Sequence, residues 1–273
     1  MSPWNSRNIE ITQYLQGEAL HQMLSKLHRL SPQSVVAGRN VIAGYTRGWG
    51  LQFGSLSSAI ENDFIYQESL RLTCGRSLVK KSYLKNIFLI MKYGMKDITG
   101  DIIEFGSYCC GSAIFIANVA RRLGFTGTVY ALDTFAGMPV TEPSLDLYVE
   151  GDFGKIALDN IYAYIKDIDL RNLVLVKGPF EKTVPELLEK TQKIILAHID
   201  CDIYSAVKYA IASLQPHMHP SGGYLVFDDP LNSACIGALQ AVEEVLQKQN
   251  FRAEQAYPHL VYRMPPLTSC EAC

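Results

Sequence analysis

From Asp101 onward, short apolar β-rich runs alternate with stretches of helical spacing, and that alternation restricts the fold more than any other feature of the chain. Asp101–Phe105, Thr128–Asp133, Leu173–Lys177, Lys193–Ile199 and Tyr224–Phe227 read as strands. Ser112–Leu123, residues 155–169, Val184–Lys190, Tyr204–Leu214 and Ile236–Lys248 read as the helices between and after them. Gly124 closes the first helix, Pro185 suits the first turn of the third, and Pro216 ends the fourth. Such alternation predicts an α/β chain with a doubly wound, mostly parallel sheet. Phe251–Tyr257 and Leu260–Met264 are placed to pair as an antiparallel hairpin through Pro258 and His259.

The first hundred residues read differently. Ile11–Leu30 has amphipathic helical spacing, residues 31–60 are rich in Gly and Ser, and Leu78–Met95 reads as a helix leading into the sheet. The expected division is a helical cap over 1–95 and a sheet domain over 96–273. A chain of 273 residues that is 48% hydrophobic can build a sizeable core. A net charge of -2 without a basic stripe leaves no footprint for nucleic acid. No apolar stretch reaches membrane-spanning length, and Met1–Asn5 lacks the basic-then-apolar start of a secretion signal. Seven scattered cysteines fit a reducing cytoplasm better than a disulfide framework. The C-x-x-C of Cys270 and Cys273 has no second ligand pair and reads as a tail rather than a zinc site.

Two of the apolar runs end in acid: His198-Ile199-Asp200-Cys201-Asp202 and Val226-Phe227-Asp228-Asp229. A buried strand ends in carboxylates where a cation, a ligand or water meets them. In an open α/β sheet those strand ends line the ligand crevice. Asp200 and Asp228 lie 28 residues apart and leave the sheet at the same edge, with Asp229 alongside. Carboxylates so grouped raise one another's pKa, and a hard cation such as Mg²⁺ relieves the repulsion. Such an ion can hold two neighbouring hydroxyls, with Asp200 or Asp202 taking the proton. The competing reading makes Asp202 and Asp229 helix caps. His198 reads as a core histidine, and His217 and His219 as solvated.

After the first strand comes Glu104-Phe105-Gly106-Ser107-Tyr108-Cys109-Cys110-Gly111-Ser112, a turn that is neither G-x-G-x-x-G nor a P-loop. The second strand ends in Asp133, 22 residues after Gly111, where a carboxylate can accept from both ribose hydroxyls. A nucleoside without phosphates beside Glu104 points to S-adenosylmethionine. At the third strand, Gly178 and Phe180 lie beside the crevice; Phe180 either covers an adenine or belongs to the core.

Together these residues resemble the TylF-type (macrocin O-methyltransferase) family. The matching stretches are Gly100–Gly106, Ala131–Pro139 with Asp133 and Thr134, Asp200–Tyr204 and Ser221–Asp229. The resemblance covers roughly residues 80 to 250. It implies a seven-stranded class I methyltransferase sheet, Mg²⁺ dependence and methylation of a hydroxyl, typically on a sugar of a secondary metabolite. It places a metal triad on Asp200, Asp228 and Asp229 and a ribose acid on Asp133; Glu104, Gly106, Ser107, Tyr108, Ser112, Thr134, Gly178 and Phe180, around the same crevice, are the further candidate cofactor contacts. It also implies a homo-oligomer. Tyr108-Cys109-Cys110 stands where the family usually has an arginine and small residues. The rivals are a catechol-type O-methyltransferase, an iron-dependent hydroxylase, which wants two histidines with a carboxylate, and a non-catalytic nucleoside binder.

Overall fold

The computed structural model describes residues 56–264 apart from 96, 97, 233, 252 and 257, and the backbone of 35–36 and 39–40. The helix expected over Ile11–Leu30 and the C-x-x-C lie outside these residues. The chain divides into Met1–Ser57 and Ser58–Cys273. In the first unit β1 (Val35–Val36) pairs antiparallel with β2 (Arg39–Asn40). The second unit takes in residues 58–95 as well as the sheet.

Helix α1 (Leu56–Glu61) crosses the division, and α2 (Phe64–Thr73) and α3 (Lys81–Leu89) follow in the second unit. A π-helical turn, Ile90–Gly94, carries α3 on toward the sheet. Alternation then follows as the sequence predicts: β3 (Asp101–Phe105), α4 (Gly111–Leu123), β4 (Val129–Asp133), α5 (Leu158–Asp167), β5 (Leu173–Lys177), α6 (Phe180–Lys190), β6 (Ile194–Ile199), α7 (Tyr204–Leu214), β7 (Tyr224–Phe227) and α8 (Ile236–Val242). The chain closes with β8 (Gln255–Ala256) and β9 (Leu260–Arg263), the expected hairpin. The sheet has seven strands in the order β5-β4-β3-β6-β7-β9-β8. Only β9 breaks the parallel run, pairing antiparallel with β7 and β8. Among the described residues no helix is long and apolar enough to cross a membrane.

One helix corrects the sequence reading. The stretch expected to start at Val184 begins at Phe180, so Pro185 sits inside α6 rather than in its first turn. Pro185 cannot donate to the Glu181 carbonyl. Burial of Val184 and Leu188 carries the helix through that missing bond.

The period of two along each strand sorts the side chains. Ile103, Phe105, Ile199 and Phe227 join a core with Val184 and Leu188 of α6, Val207 and Ile211 of α7 and Ala238 and Val242 of α8. Each such fully buried large side chain contributes roughly 2 kcal/mol. The alternate positions Glu104 and His198, cross-strand neighbours in the β3–β6 ladder, project to the opposite face. The chain runs from β3 outward to β5, then returns to place β6 on the other side of β3. The β3–β6 boundary is therefore the topological switch point, and the crevice lies outside its C-terminal ends.

Candidate active site

The turn from β3 into α4 is built on backbone that few residues tolerate. Gly106, Tyr108 and Cys110 all have positive φ, at 84°, 46° and 61°. Gly106 is required twice over: its φ is left-handed, and a Cβ there would fall on the Asp200 carbonyl oxygen. The Asp200 amide in turn donates to the Phe105 carbonyl at 2.9 Å. The glycine turn and the first acidic strand end are thus in backbone contact.

Asp133 fastens the same turn from β4. Its Oδ2 accepts the Tyr108 amide at 2.8 Å and its Oδ1 accepts the Phe135 amide at 2.7 Å. Burial pushes its carboxyl up from the usual range, and these hydrogen bonds oppose the rise. Thr134 donates from Oγ1 to the Gly137 carbonyl at 2.7 Å, and the Gly178 amide donates to the Asp133 carbonyl at 2.9 Å. Ser112 is buried in the first turn of α4. Phe180 does not lie in a loop: it opens α6, with its ring edge-on to Phe105 at 5.0 Å.

Two polar atoms at this turn are buried with no hydrogen-bond partner among the described residues: Glu104 Oε2 and Ser107 Oγ. Buried groups left in that state mark a place where a ligand or water completes the bonding. A carboxylate oxygen and a hydroxyl left open at the same turn suit a zwitterionic ligand such as the amino-acid end of S-adenosylmethionine.

The acids come together as the sequence predicts. Oxygens of Asp200, Asp228 and Asp229 all lie within 4.8 Å of one another. Burial, then the charges of Asp228, Asp229 and Asp202, push Asp200 well above the usual carboxylate range. Asp229 rises for the same reasons, burial first and then Asp202 and Asp228. Asp202, in left-handed backbone with φ 60°, is held up at about 6, chiefly by burial. Carboxylates destabilised by mutual repulsion are the donor set that a hard divalent cation satisfies.

Capping does not account for these acids. The Tyr204 amide at the start of α7 is taken by Asp146 Oδ1 at 2.8 Å, not by Asp202. Asp229 Oδ2 accepts the Asp202 amide at 2.8 Å, so one acid positions the next. Asp146 also accepts the Glu142 amide through Oδ2 at 2.9 Å. It thereby fixes the long connection between β4 and α5 over the acidic cluster. Tyr148 in that connection feels the cluster: burial and then Asp202, Cys235 and Asp229 push its hydroxyl up to about 12. Phe153 packs edge-on to both Tyr148, at 5.2 Å, and Tyr108, at 5.8 Å. An aromatic row therefore joins the acids to the glycine turn.

Asp228 differs from its neighbours. Burial alone would raise it, but hydrogen bonds from His198 and His259 outweigh that and hold it at about 2. His198, completely buried, lies between Glu104 Oε1 at 2.9 Å and Asp228 Oδ1 at 3.5 Å. Burial disfavours its imidazolium, yet those two carboxylates hold it up at about 9. His259 Nε2 lies 3.0 Å from the same Asp228 oxygen. The two histidines and Asp228 have the residue types of an iron triad, but both rings approach one oxygen of Asp228, as hydrogen-bond donors would.

Sequence reasoning missed Asn86, Asp146, Tyr148, Cys235 and His259. Cys235 Sγ lies 3.5 Å from Asp202 Oδ1 and 3.8 Å from Asp229 Oδ1. Nothing in the chain order flags these residues, because they reach the site from four segments far apart in sequence.

With this geometry in hand, comparison with known proteins places the chain. The model of the macrocin-O-methyltransferase (TylF) family matches residues 72–256. The chain belongs to that family. A relative from Streptomyces olivaceus, 8-demethyl-8-(2,3-dimethoxy-alpha-L-rhamnosyl)-tetracenomycin-C 4'-O-methyltransferase, is 27% identical over 152 residues. That match spans 52% of this chain and 57% of the relative, little more than half its length. Among solved structures, the O-methyltransferase NovP is similar with a TM-score of 0.60 and 19% identity, over 70% of this chain and 81% of that one. The calicheamicin methyltransferase CalS11 gives 0.59 and 19%, over 86% and 96%. At such identities the likeness is one of fold, and the fold is the class I methyltransferase sheet that the sequence led us to expect.

Proposed function

We propose that this TylF-family protein is an O-methyltransferase that uses S-adenosylmethionine and Mg²⁺ to methylate a hydroxyl of a small molecule, a sugar of a secondary metabolite. The observation that carries the reading is one crevice holding both a carboxylate triad and the unpartnered Glu104 Oε2 and Ser107 Oγ. The family and the sugar-methylating relative support the acceptor class.

S-adenosylmethionine, when bound, supplies a methyl group on a positive sulfur, and Mg²⁺ supplies Lewis acidity toward vicinal oxygens. Asp133 would accept from the ribose, while Glu104 and Ser107 would receive the polar amino-acid end. Tyr108, Ser112, Thr134 and Gly178 would shape the turns around it. Asp200, Asp228 and Asp229 would hold the cation. Asp200 and Asp202 are the candidate bases, and Asp202 is free of the triad. With its carboxyl held up at about 6, it is matched to accept a proton near neutral pH. The row Tyr108, Phe153 and Tyr148 would line the crevice with aromatic surface from the glycine turn to the connection beside the acids. Most of the acceleration in this scheme comes from positioning the two reactants and lowering the hydroxyl pKa.

The test is calorimetric titration with S-adenosylhomocysteine, with Mg²⁺ and with EDTA, followed by an acceptor screen of glycosides against catechols. Binding in both buffers and Mg²⁺-dependent turnover of a glycoside is the expected result. No binding in either buffer removes the cofactor assignment. Turnover of catechols alone transfers the same acids to an aromatic diol.

A further inference from the structure

One buried chain of contacts ends on the metal triad and takes no part in the scheme above. Asn86 of α3 and His259 of the β8–β9 hairpin are 173 residues apart in sequence, yet Asn86 Nδ2 meets His259 Nδ1 at 2.8 Å. His259 Nε2 then meets Asp228 Oδ1 at 3.0 Å. His259 is 0% and Asn86 2% exposed. Tyr83 packs edge-on against the imidazole at 4.7 Å and 80°, fixing the plane of the ring.

The chemistry of the ring follows from its partners. With the Asn86 amide donating to Nδ1, the ring proton sits on Nε2 and points at Asp228. A neutral imidazole in that tautomer presents a proton there, not a lone pair. His198 reaches the same Oδ1 from the other side at 3.5 Å. His259 thus occupies Oδ1, which the otherwise unpartnered His198 Nε2 also faces, and Oδ2 is the oxygen left for a cation.

We propose that His259, oriented by Asn86, is a positioning residue that holds the Asp228 carboxylate for metal binding. The proposal rests on the metal reading given above and adds to it a partner outside the ligand shell. Ligating carboxylates depend on such partners for their orientation. A carboxylate free to rotate would have to be ordered as each ion binds, so loss of the His259 bond should appear as weaker metal affinity with the cofactor site untouched.

The experiment is Mn²⁺ titration of the full chain, counting free Mn²⁺ by its electron paramagnetic resonance signal, with S-adenosylhomocysteine affinity in EDTA measured alongside. The variants are His259→Leu, which lacks a donor, and His259→Gln, whose amide reaches the Nε2 position. His259→Leu should weaken Mn²⁺ binding about 10- to 100-fold and leave the affinity in EDTA unchanged. His259→Gln should recover most of the loss. If His259→Leu fails to fold, His259→Asn, whose amide is too short to reach Asp228, serves in its place against His259→Gln. Mn²⁺ binding unchanged in the donor-lacking variant overturns the role. So does an equal loss in His259→Gln, which would point to packing alone. Absence of Mn²⁺ binding by the parent chain overturns the metal reading itself, and this role with it.

Discussion

Asp202 offers a test in which stability and activity should move in opposite directions. Its carboxyl is held up from 3.8 to about 6 by burial and by neighbouring acids. An acid with a raised folded-state pKa costs stability when it ionises. The cost begins as pH rises past the unfolded value near 4 and is complete above about 6. At about 1.4 kcal/mol for each tenfold change in proton affinity, the rise amounts to about 3 kcal/mol at pH 8. Neighbouring acids that take up protons themselves trim this to about 1–3 kcal/mol. Asp202→Asn removes the charge and keeps the rest. Asparagine suits the left-handed backbone at φ 60°, and its side-chain oxygen can still accept from Cys235. In EDTA at pH 8 the variant should unfold about 2–12 °C above the parent, taking roughly 2–4 °C per kcal/mol for a domain of this size. The gap should shrink to about a third of that by pH 4.5. Turnover should fall about 10²- to 10⁴-fold, the usual contribution of a general base. Thermal melts across pH 4.5–8 in EDTA, with initial rates in Mg²⁺, measure both. A variant no more stable than the parent at pH 8, or one with the same gap at pH 4.5, refutes the electrostatic reasoning. Full activity refutes Asp202 as the base.

Mg²⁺ at 100 times its dissociation constant should stabilise the parent by about 2.7 kcal/mol, and the increment should vanish in Asp200→Asn when both are followed by thermal melts. Gly106→Ala places a Cβ on the Asp200 carbonyl in left-handed backbone; urea midpoints should show a loss of about 3 kcal/mol, and S-adenosylhomocysteine affinity should drop with it. Asp63 caps α2 through the Ile65 and Tyr66 amides at 2.9 and 3.2 Å and pairs with Lys92. Asp63→Ala should cost about 1–2 kcal/mol in urea unfolding. Burial raises the Asp63 carboxyl, but its bonds to Lys92, Tyr66 and Ile65 hold it below 3.8, so the difference should persist above pH 4 and disappear as pH falls below that folded value.

The strands and the acids at their ends were legible because each is a local pattern. A run such as Tyr224–Phe227 followed by Asp228 and Asp229 carries its own periodicity and its own anomaly. The start of α6 was not legible, since Pro185 looks like a first-turn residue and only the burial of Val184 and Leu188 extends the helix back to Phe180. The competing reading of Asp202 as the cap of α7 fails for a different reason: Asp202 is two residues from Tyr204, whereas the true partner, Asp146, is 58 residues upstream. His198 was read as a core histidine, and its burial agrees; its place between Glu104 and Asp228 follows from strand register, which sequence spacing does not contain. His259 gave no signal at all, being one residue of a hairpin turn until the fold sets it against Asn86.

The clamp at Asp146 makes the β4–α5 connection a poor candidate for free exchange between relatives. The Gly237 amide donates to the Leu145 carbonyl at 3.0 Å. A side chain at Gly237 would strike both Asp146 and Tyr204. Asp146, Tyr204 and Gly237 therefore behave as a lock whose three parts come from three elements. A chimera that imports a foreign connection to change acceptor choice must import the matching positions of α7 and α8 as well, or it will release the start of the helix that follows Asp200 and Asp202.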